Sequence, residues 1–105
     1  MSSKKLNFPA TERNRVPILN VLKEVISKHF PSKEKLEVLE IASGSGQHSV
    51  YFAQNLPNLS IRPTDVDNQN LQSIKAYVDE VKLKNLKTPL LIDITNVSFN
   101  FYIHF

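Results

Sequence analysis

Apolar residues along this chain fall into two alternating spacings, and the alternation predicts the fold. Spacings of three and four residues predict helices between Ile18 and Phe30, between Val50 and Leu56, and between Leu71 and Val81. Short apolar runs at Leu36–Ile41, Leu59–Thr64 and Pro89–Ile94 are typical of strands in a parallel sheet. The predicted order is α-β-α-β-α-β, and crossovers of this length favour parallel strands with right-handed connections.

Polar residues and prolines predict the helix boundaries. Asn14 is expected to cap the first helix, which would place Pro17 in the first turn, where a missing N–H does no harm. Asp67 or Asn68 is expected to cap the third helix, which fades through Lys82–Lys87.

Length and composition predict one small domain. The chain has 105 residues, of which 41% are hydrophobic and 22% charged, and this balance favours a globular core. We divide it into a flexible N-terminus at 1–10, an α/β domain at 11–95 and a divergent aromatic tail at 96–105. The tail alternates apolar and polar residues without a preceding helix, so it does not continue the order.

Composition also excludes several classes of function. Cysteine is absent, which excludes disulfides, thiolate nucleophiles and cysteine-ligated zinc, and no metal site is expected. The net charge is +3, and the one basic run, Lys82–Lys87, lacks interleaved aromatic residues, so we interpret it as a solvated helix end rather than a nucleic-acid surface. There is no membrane signal, and we expect an intracellular protein of the cytoplasm, with the nucleus left open.

Both glycines of the chain lie in one turn, between the first strand and the second helix. A strand, a glycine turn carrying Gly44 and Gly46, and a helix form the arrangement that lets a ligand approach the backbone. Asp65 and Asp93 follow the other two strands and are expected at the same sheet edge. Asp65 lies 21 residues after Gly44, a separation that suits contact with ribose hydroxyls. The alternative is that Asp65, and more so Asp67, only caps a helix.

The residues around the turn limit the choice of ligand. A dinucleotide fingerprint would need glycine where Ser49 stands, and no G-K-[ST] follows for a phosphate-binding P-loop. An NAD-dependent enzyme is therefore only a third hypothesis. Glu40, four residues before Gly44, would face a cation better than a pyrophosphate.

The pattern Glu40-x-Ala42-x-Gly44-x-Gly46 resembles motif I of class I S-adenosylmethionine-dependent methyltransferases, E/D-x-G-x-G-x-G, with alanine at the first glycine. The segments Ala10–Asn14, Pro17–Leu19 and Pro63–Asp67 extend the resemblance to the methyltransferase-like protein 26 family and its bacterial relatives, over about residues 8–95. This resemblance implies a Rossmann-like class I methyltransferase fold. The chain would hold its N-terminal half only, with three parallel strands and helices on both faces.

The resemblance also implies S-adenosylmethionine as cofactor and a set of residues that bind it. The glycines would let the backbone approach the methionine part, Glu40 would lie near its amino group, Asp65 would hold the ribose hydroxyls and Asp93 would lie near the adenine amino group. The implied cofactor-binding set is Glu40, Ala42, Gly44, Gly46, Asp65 and Asp93.

Four further residues are candidates for the cleft. Glu12, Arg13 and Asn14 would line it from the N-terminal side, or else form a helix cap with exposed charges. His48, in the first turn of the second helix, would lie near cofactor or substrate, or else serve in packing.

The function predicted from the sequence is an S-adenosylmethionine-binding, methyltransferase-like protein of unknown methyl acceptor, in a truncated and catalytically incomplete form. The resemblance implies that the chain would lack strands four to seven of the complete fold, and no catalytic base is assigned. The alternative is a non-enzymatic Rossmann-like module that pairs with a protein partner through the exposed edge of the first strand. The tail at 96–105 could instead cover that edge.

Overall fold

The computed structural model describes residues 4–31, 34–93 and 95. Its three helices are α1 (Pro9–His29), α2 (Gln47–Asn55) and α3 (Asn68–Val81). Its three strands are β1 (Leu36–Glu40), β2 (Leu59–Asp65) and β3 (Leu90–Leu91). This is the predicted order. The predicted tail at 96–105 lies outside the described residues, and the division into three segments stays a prediction.

The strands form one parallel sheet in the order β1-β2-β3, as predicted. β1 pairs with β2 along its whole length. β3 pairs only with the last two residues of β2, Thr64 and Asp65. The predicted third strand, Pro89–Ile94, is therefore longer than the observed one. Pro89 has no N–H to donate, and beyond Ile92 the Asp93 side chain accepts the N–H of Thr95 in a local turn.

The hydrophobic core lies between the three helices and one face of the sheet. Its buried members are Leu19, Phe52, Ala53, Leu56, Leu59, Ile61 and Leu86. β1 adds Leu36 and Val38, which are paired with Leu59 and Ile61 and so point to the same face. Two right-handed crossovers that step in one direction place both of their helices on one face. The second helical layer expected from the sequence is not among the described residues.

α1 begins earlier than predicted, inside the segment assigned to a flexible N-terminus. Its N-cap is Phe8, whose carbonyl accepts the N–H of Thr11, and Pro9 takes the first helical position. Asn14 is not the cap, because it lies inside the helix, where its side chain contacts His48. Pro17 consequently lies within the helix, where it removes one backbone hydrogen bond.

α3 has the boundaries expected from its sequence. Asp67 is the N-cap and its Oδ1 accepts the N–H of Asn70 at 3.0 Å. The helix ends at Val81, and Lys82 adopts a left-handed conformation. The segment after it is more than a solvated end, because Leu86 is buried and bridges to Ile61 in β2.

No helix in the described part of the chain is long and apolar enough to cross a membrane. The compartment stays a prediction, since the fold carries no information on it.

We predict that Gly46→Ala destabilises the protein by roughly 2–4 kcal/mol. Gly46 has a φ of +97°, and a Cβ there would lie 3.0 Å from the Cα of Ile74. Gly44→Ala is the matched control: its φ is +64°, but the added methyl would meet only the Phe8 ring at 3.5 Å. The control should lose about 1–2 kcal/mol in urea unfolding followed by circular dichroism. Equal losses would contradict the close approach of α3 to the turn.

Candidate functional site

The turn between β1 and α2, which we call the glycine loop (residues 41–46), lies at the carboxyl edge of the sheet. Three of its residues adopt positive φ angles: Ala42 at +54°, Gly44 at +64° and Gly46 at +97°. Ala42 therefore accepts a left-handed conformation that costs a residue with a Cβ about 1–2 kcal/mol. Its side chain is exposed, so the methyl crowds nothing.

α3 packs directly against the end of this loop. Gly46 lies against Ile74, and Ser73 Oγ donates to the carbonyl of Ser45 at 2.7 Å. These serines and Ile74 are almost completely buried. The small side chains let the helix approach closely and fix the backbone of the loop.

Asp65, at the end of β2, fastens the other side of the glycine loop. Its Oδ2 accepts the N–H of Gly44 at 2.9 Å, and its Oδ1 accepts the N–H groups of Val66 at 2.8 Å and Asp67 at 3.0 Å. The residue is only 7% exposed. Asp65, the acid predicted from the sequence, is thus hydrogen-bonded to the predicted loop. The N-cap of α3 is Asp67 instead. The predicted contact of Asp65 with ribose stays a prediction.

The environment of Asp65 favours the ionised carboxylate. Burial raises the pKa of this group, but the backbone N–H groups of Asp67 and Gly44, the Asn70 side chain and the N–H of Val66 act in the opposite direction. Their sum holds the pKa of Asp65 below its ordinary value. A buried, charged acceptor therefore lies directly beside the loop.

Glu40, the last residue of β1, is held in place by groups that sequence reasoning missed. Its carboxylate accepts a hydrogen bond from the hydroxyl of Ser49 in α2, which is 1% exposed. Thr64 Oγ1 donates to the Glu40 carbonyl at 2.7 Å, and Ser43 N donates to the Thr64 carbonyl at 2.7 Å. Ser49, whose presence argued against a dinucleotide motif, thus orients the acid.

Gln47, the first residue of α2, is the second group that sequence reasoning missed. Its Oε1 accepts from Phe8 N at 2.6 Å and Ser45 Oγ at 2.7 Å, and its Nε2 donates to Asn7 at 3.2 Å and Glu12 at 2.9 Å. This buried amide uses its full capacity for hydrogen bonds. The sequence signal that could have identified Gln47 was its position, as a polar residue directly after Gly46.

Of the predicted cleft residues, three meet beside the glycine loop. Glu12 contacts Gln47 and also pairs with Arg15 at 3.1 Å. Asn14 Oδ1 lies 2.8 Å from Nε2 of His48, whose ring stacks on Phe52. Arg13 is exposed on α1. The contacts of Glu12 with Gln47 and of Asn14 with His48 dock α1 on the first turn of α2. A role toward a ligand stays a prediction for all four cleft residues.

Asp93 follows β3 at the same edge of the sheet. Its Oδ1 accepts the hydroxyl of Thr95 at 2.6 Å and the N–H of Thr95 at 3.0 Å, and these bonds lower the pKa of its carboxyl group. Its predicted contact with adenine stays a prediction. Across the residues that the structure describes, no group of three or more histidine, aspartate or glutamate side chains could hold a metal ion.

A parallel sheet with a glycine loop and an acid at adjacent strand ends is the arrangement of a Rossmann-like fold. The chain belongs to a family described as "Protein of unknown function (DUF938)", whose model matches residues 5–102. The predicted Rossmann-like fold with three parallel strands is confirmed, while membership of the methyltransferase-like protein 26 family stays a prediction.

Solved structures of methyltransferases share this fold. Coclaurine N-methyltransferase, bound to N-methylheliamine and S-adenosylhomocysteine, matches 77% of this chain at 17% identity with a TM-score of 0.58. The DszA carbon methyltransferase matches 88% at 13% identity with a TM-score of 0.60. A Methanococcus maripaludis protein described as an S-adenosylmethionine-dependent methyltransferase matches 92% at 20% identity with a TM-score of 0.61. The chain covers only 24%, 25% and 48% of their respective lengths.

We predict that Asp65 makes the stability of the protein depend on pH in the acid range. Because folding lowers the pKa of Asp65, its contribution is fully present above the ordinary value near 3.8 and is lost as pH falls through the folded value. Urea unfolding between pH 6 and pH 2.5 should show Asp65→Asn less stable than the wild type at pH 6, with the difference shrinking toward low pH. Asp79→Asn, an exposed carboxylate on α3, is the control. A difference that stays constant with pH would contradict the role of the charge.

Proposed function

We propose that this chain binds S-adenosylmethionine at the glycine loop, as the cofactor-side part of a methyltransferase-like protein. One observation carries the proposal: the Asp65 carboxylate holds Gly44 of a loop with three positive φ angles at the carboxyl edge of a parallel sheet. That edge is where open α/β sheets bind their ligands. The methyltransferases of similar fold support the choice of cofactor.

Whether the site suits the ribose of this cofactor depends on how many acceptor positions of Asp65 the protein itself occupies. A carboxylate offers about four acceptor positions, and backbone N–H groups occupy three of them. The Asn70 side chain also lies near this carboxylate and contributes to its lowered pKa. The fourth acceptor position of Asp65 would take a ribose hydroxyl, so the site fits the ribose.

The other residues of the site fit without rearrangement. Gly44 and Gly46 would face the methionine part, and the exposed methyl of Ala42 leaves room beside them. Glu40, oriented by Ser49, would receive the cofactor's amino group. Asp93, at the end of β3, would lie toward the adenine.

When bound, S-adenosylmethionine supplies an activated methyl group on a sulfonium. The residues of this chain would bind and orient the cofactor, and we assign no catalytic base among them. Methyl transfer itself, with an unknown acceptor, is proposed only for a protein that includes the substrate-side half, since the chain covers 48% or less of the three structures compared. Membership of the methyltransferase-like protein 26 family is part of the same proposal.

Calorimetric titration with S-adenosylhomocysteine tests the proposal directly. We expect saturable binding that Asp65→Asn weakens about tenfold or more, because a charge-assisted acceptor is lost. Asp79→Asn, a carboxylate that pairs with Lys75 on the outer face of α3, should bind like the wild type. NADH is the control ligand and should not bind.

Two results would overturn the proposal. One is the absence of S-adenosylhomocysteine binding by a chain that circular dichroism shows to be folded. The other is preferential binding of NADH, which would favour the dinucleotide hypothesis.

A non-enzymatic interaction module is the second candidate function. The observation that favours it is the position of β1 at the edge of the described sheet, beside an apolar cavity of about 450 Å³ between α1 and β1. Leu22, Phe30 and Val38 are among its lining residues. A strand of another protein chain could pair with this edge. This role becomes the preferred one if the folded chain binds no cofactor.

A further inference from the structure

The segment that precedes α1 is tied to both helices that flank the glycine loop. Leu6 N donates to Ser73 Oγ at 2.7 Å, and the Tyr77 hydroxyl donates to the Leu6 carbonyl at 2.9 Å. Lys5 adds an ion pair with Glu80 at 2.6 Å. Residues 5–8 therefore follow α3 toward the ligand-binding edge of the sheet.

The backbone of Phe8 is fixed on both sides. Its N–H donates to the buried Gln47 side chain at 2.6 Å, and its carbonyl accepts the N–H of Thr11 at the start of α1. Gln47 in turn holds Ser45 of the glycine loop at 2.7 Å. The position of Phe8 is thus set by the same residue that holds the loop.

The Phe8 ring lies over the loop but remains open to solvent. A Cβ built on Gly44 would lie 3.5 Å from Cε2 and 3.8 Å from Cδ2 of this ring. The residue nevertheless keeps 39% of its surface exposed, although it is a large apolar side chain on a fixed backbone. An aromatic ring held beside a ligand-binding loop with its surface free can cover an apolar or cationic part of the ligand.

We propose that Phe8 forms a wall of the cofactor pocket and contacts the methionine part of the ligand above Gly44. This inference rests on the proposed function and adds to it a contact residue from outside the motif I sequence. The contact explains why a buried glutamine joins the loop to the segment before α1. A ring in this position is also suited to a sulfonium, because aromatic faces attract cations.

The absence of tryptophan from the chain makes a direct test possible. In Phe8→Trp, the introduced indole is the only tryptophan, and its emission should change saturably as S-adenosylhomocysteine is added. Phe30→Trp is the matched control, because Phe30 follows α1 as Phe8 precedes it and so lies at the opposite end of this 21-residue helix. Its emission should stay constant.

Calorimetry with Phe8→Ala provides the second measurement. The affinity for S-adenosylhomocysteine should fall roughly tenfold, while Phe30→Ala should bind like the wild type. Unchanged affinity in Phe8→Ala and constant emission in Phe8→Trp, in a protein whose wild type binds, would overturn this inference alone. A folded wild type that binds no S-adenosylhomocysteine would overturn the proposed function as well.

Discussion

The structure depends on the hydrogen bonds that the Asp65 carboxylate accepts from the backbone at the end of β2. One oxygen holds Gly44, which belongs to the preceding strand-turn-helix unit, and the other holds Val66 and Asp67, which lead into α3. A single side chain therefore joins two consecutive βα units at the sheet edge. The price of burying a charge there is offset by three backbone donors, so the group stays ionised.

The glycine loop can accept this bond because its backbone turns through left-handed conformations. Glycine adopts these readily at Gly44 and Gly46, whereas Ala42 adopts one at a cost of about 1–2 kcal/mol, with its methyl exposed. Gly46 is required for a second reason, because α3 packs against it through Ile74 and leaves no room for a side chain. The conformation of the proposed cofactor loop is thus also the one that packs the domain.

Local signals made much of the fold predictable. Strand, turn and helix from Leu36 onward, and the cap at Asp67, depend on neighbouring residues and were found correctly. The start of α1 was predicted wrongly. The capping preference of Asn14 is a local signal, but in the fold its side chain contacts His48, 34 residues away. The spacing from Gly44 located Asp65 but not the three backbone N–H groups that occupy its oxygens, because those hydrogen bonds form only in the folded backbone.

The most direct test of the account uses the fact that the chain has two glycines, both in the loop. Selective ¹⁵N-glycine labelling gives a spectrum with one amide signal from each, and the hydrogen bond to Asp65 should place Gly44 downfield of Gly46. We predict that both signals shift saturably when S-adenosylhomocysteine is added to the wild type. Two signals that remain unchanged at millimolar S-adenosylhomocysteine, in a folded chain, would contradict the assignment of the glycine loop as the cofactor site.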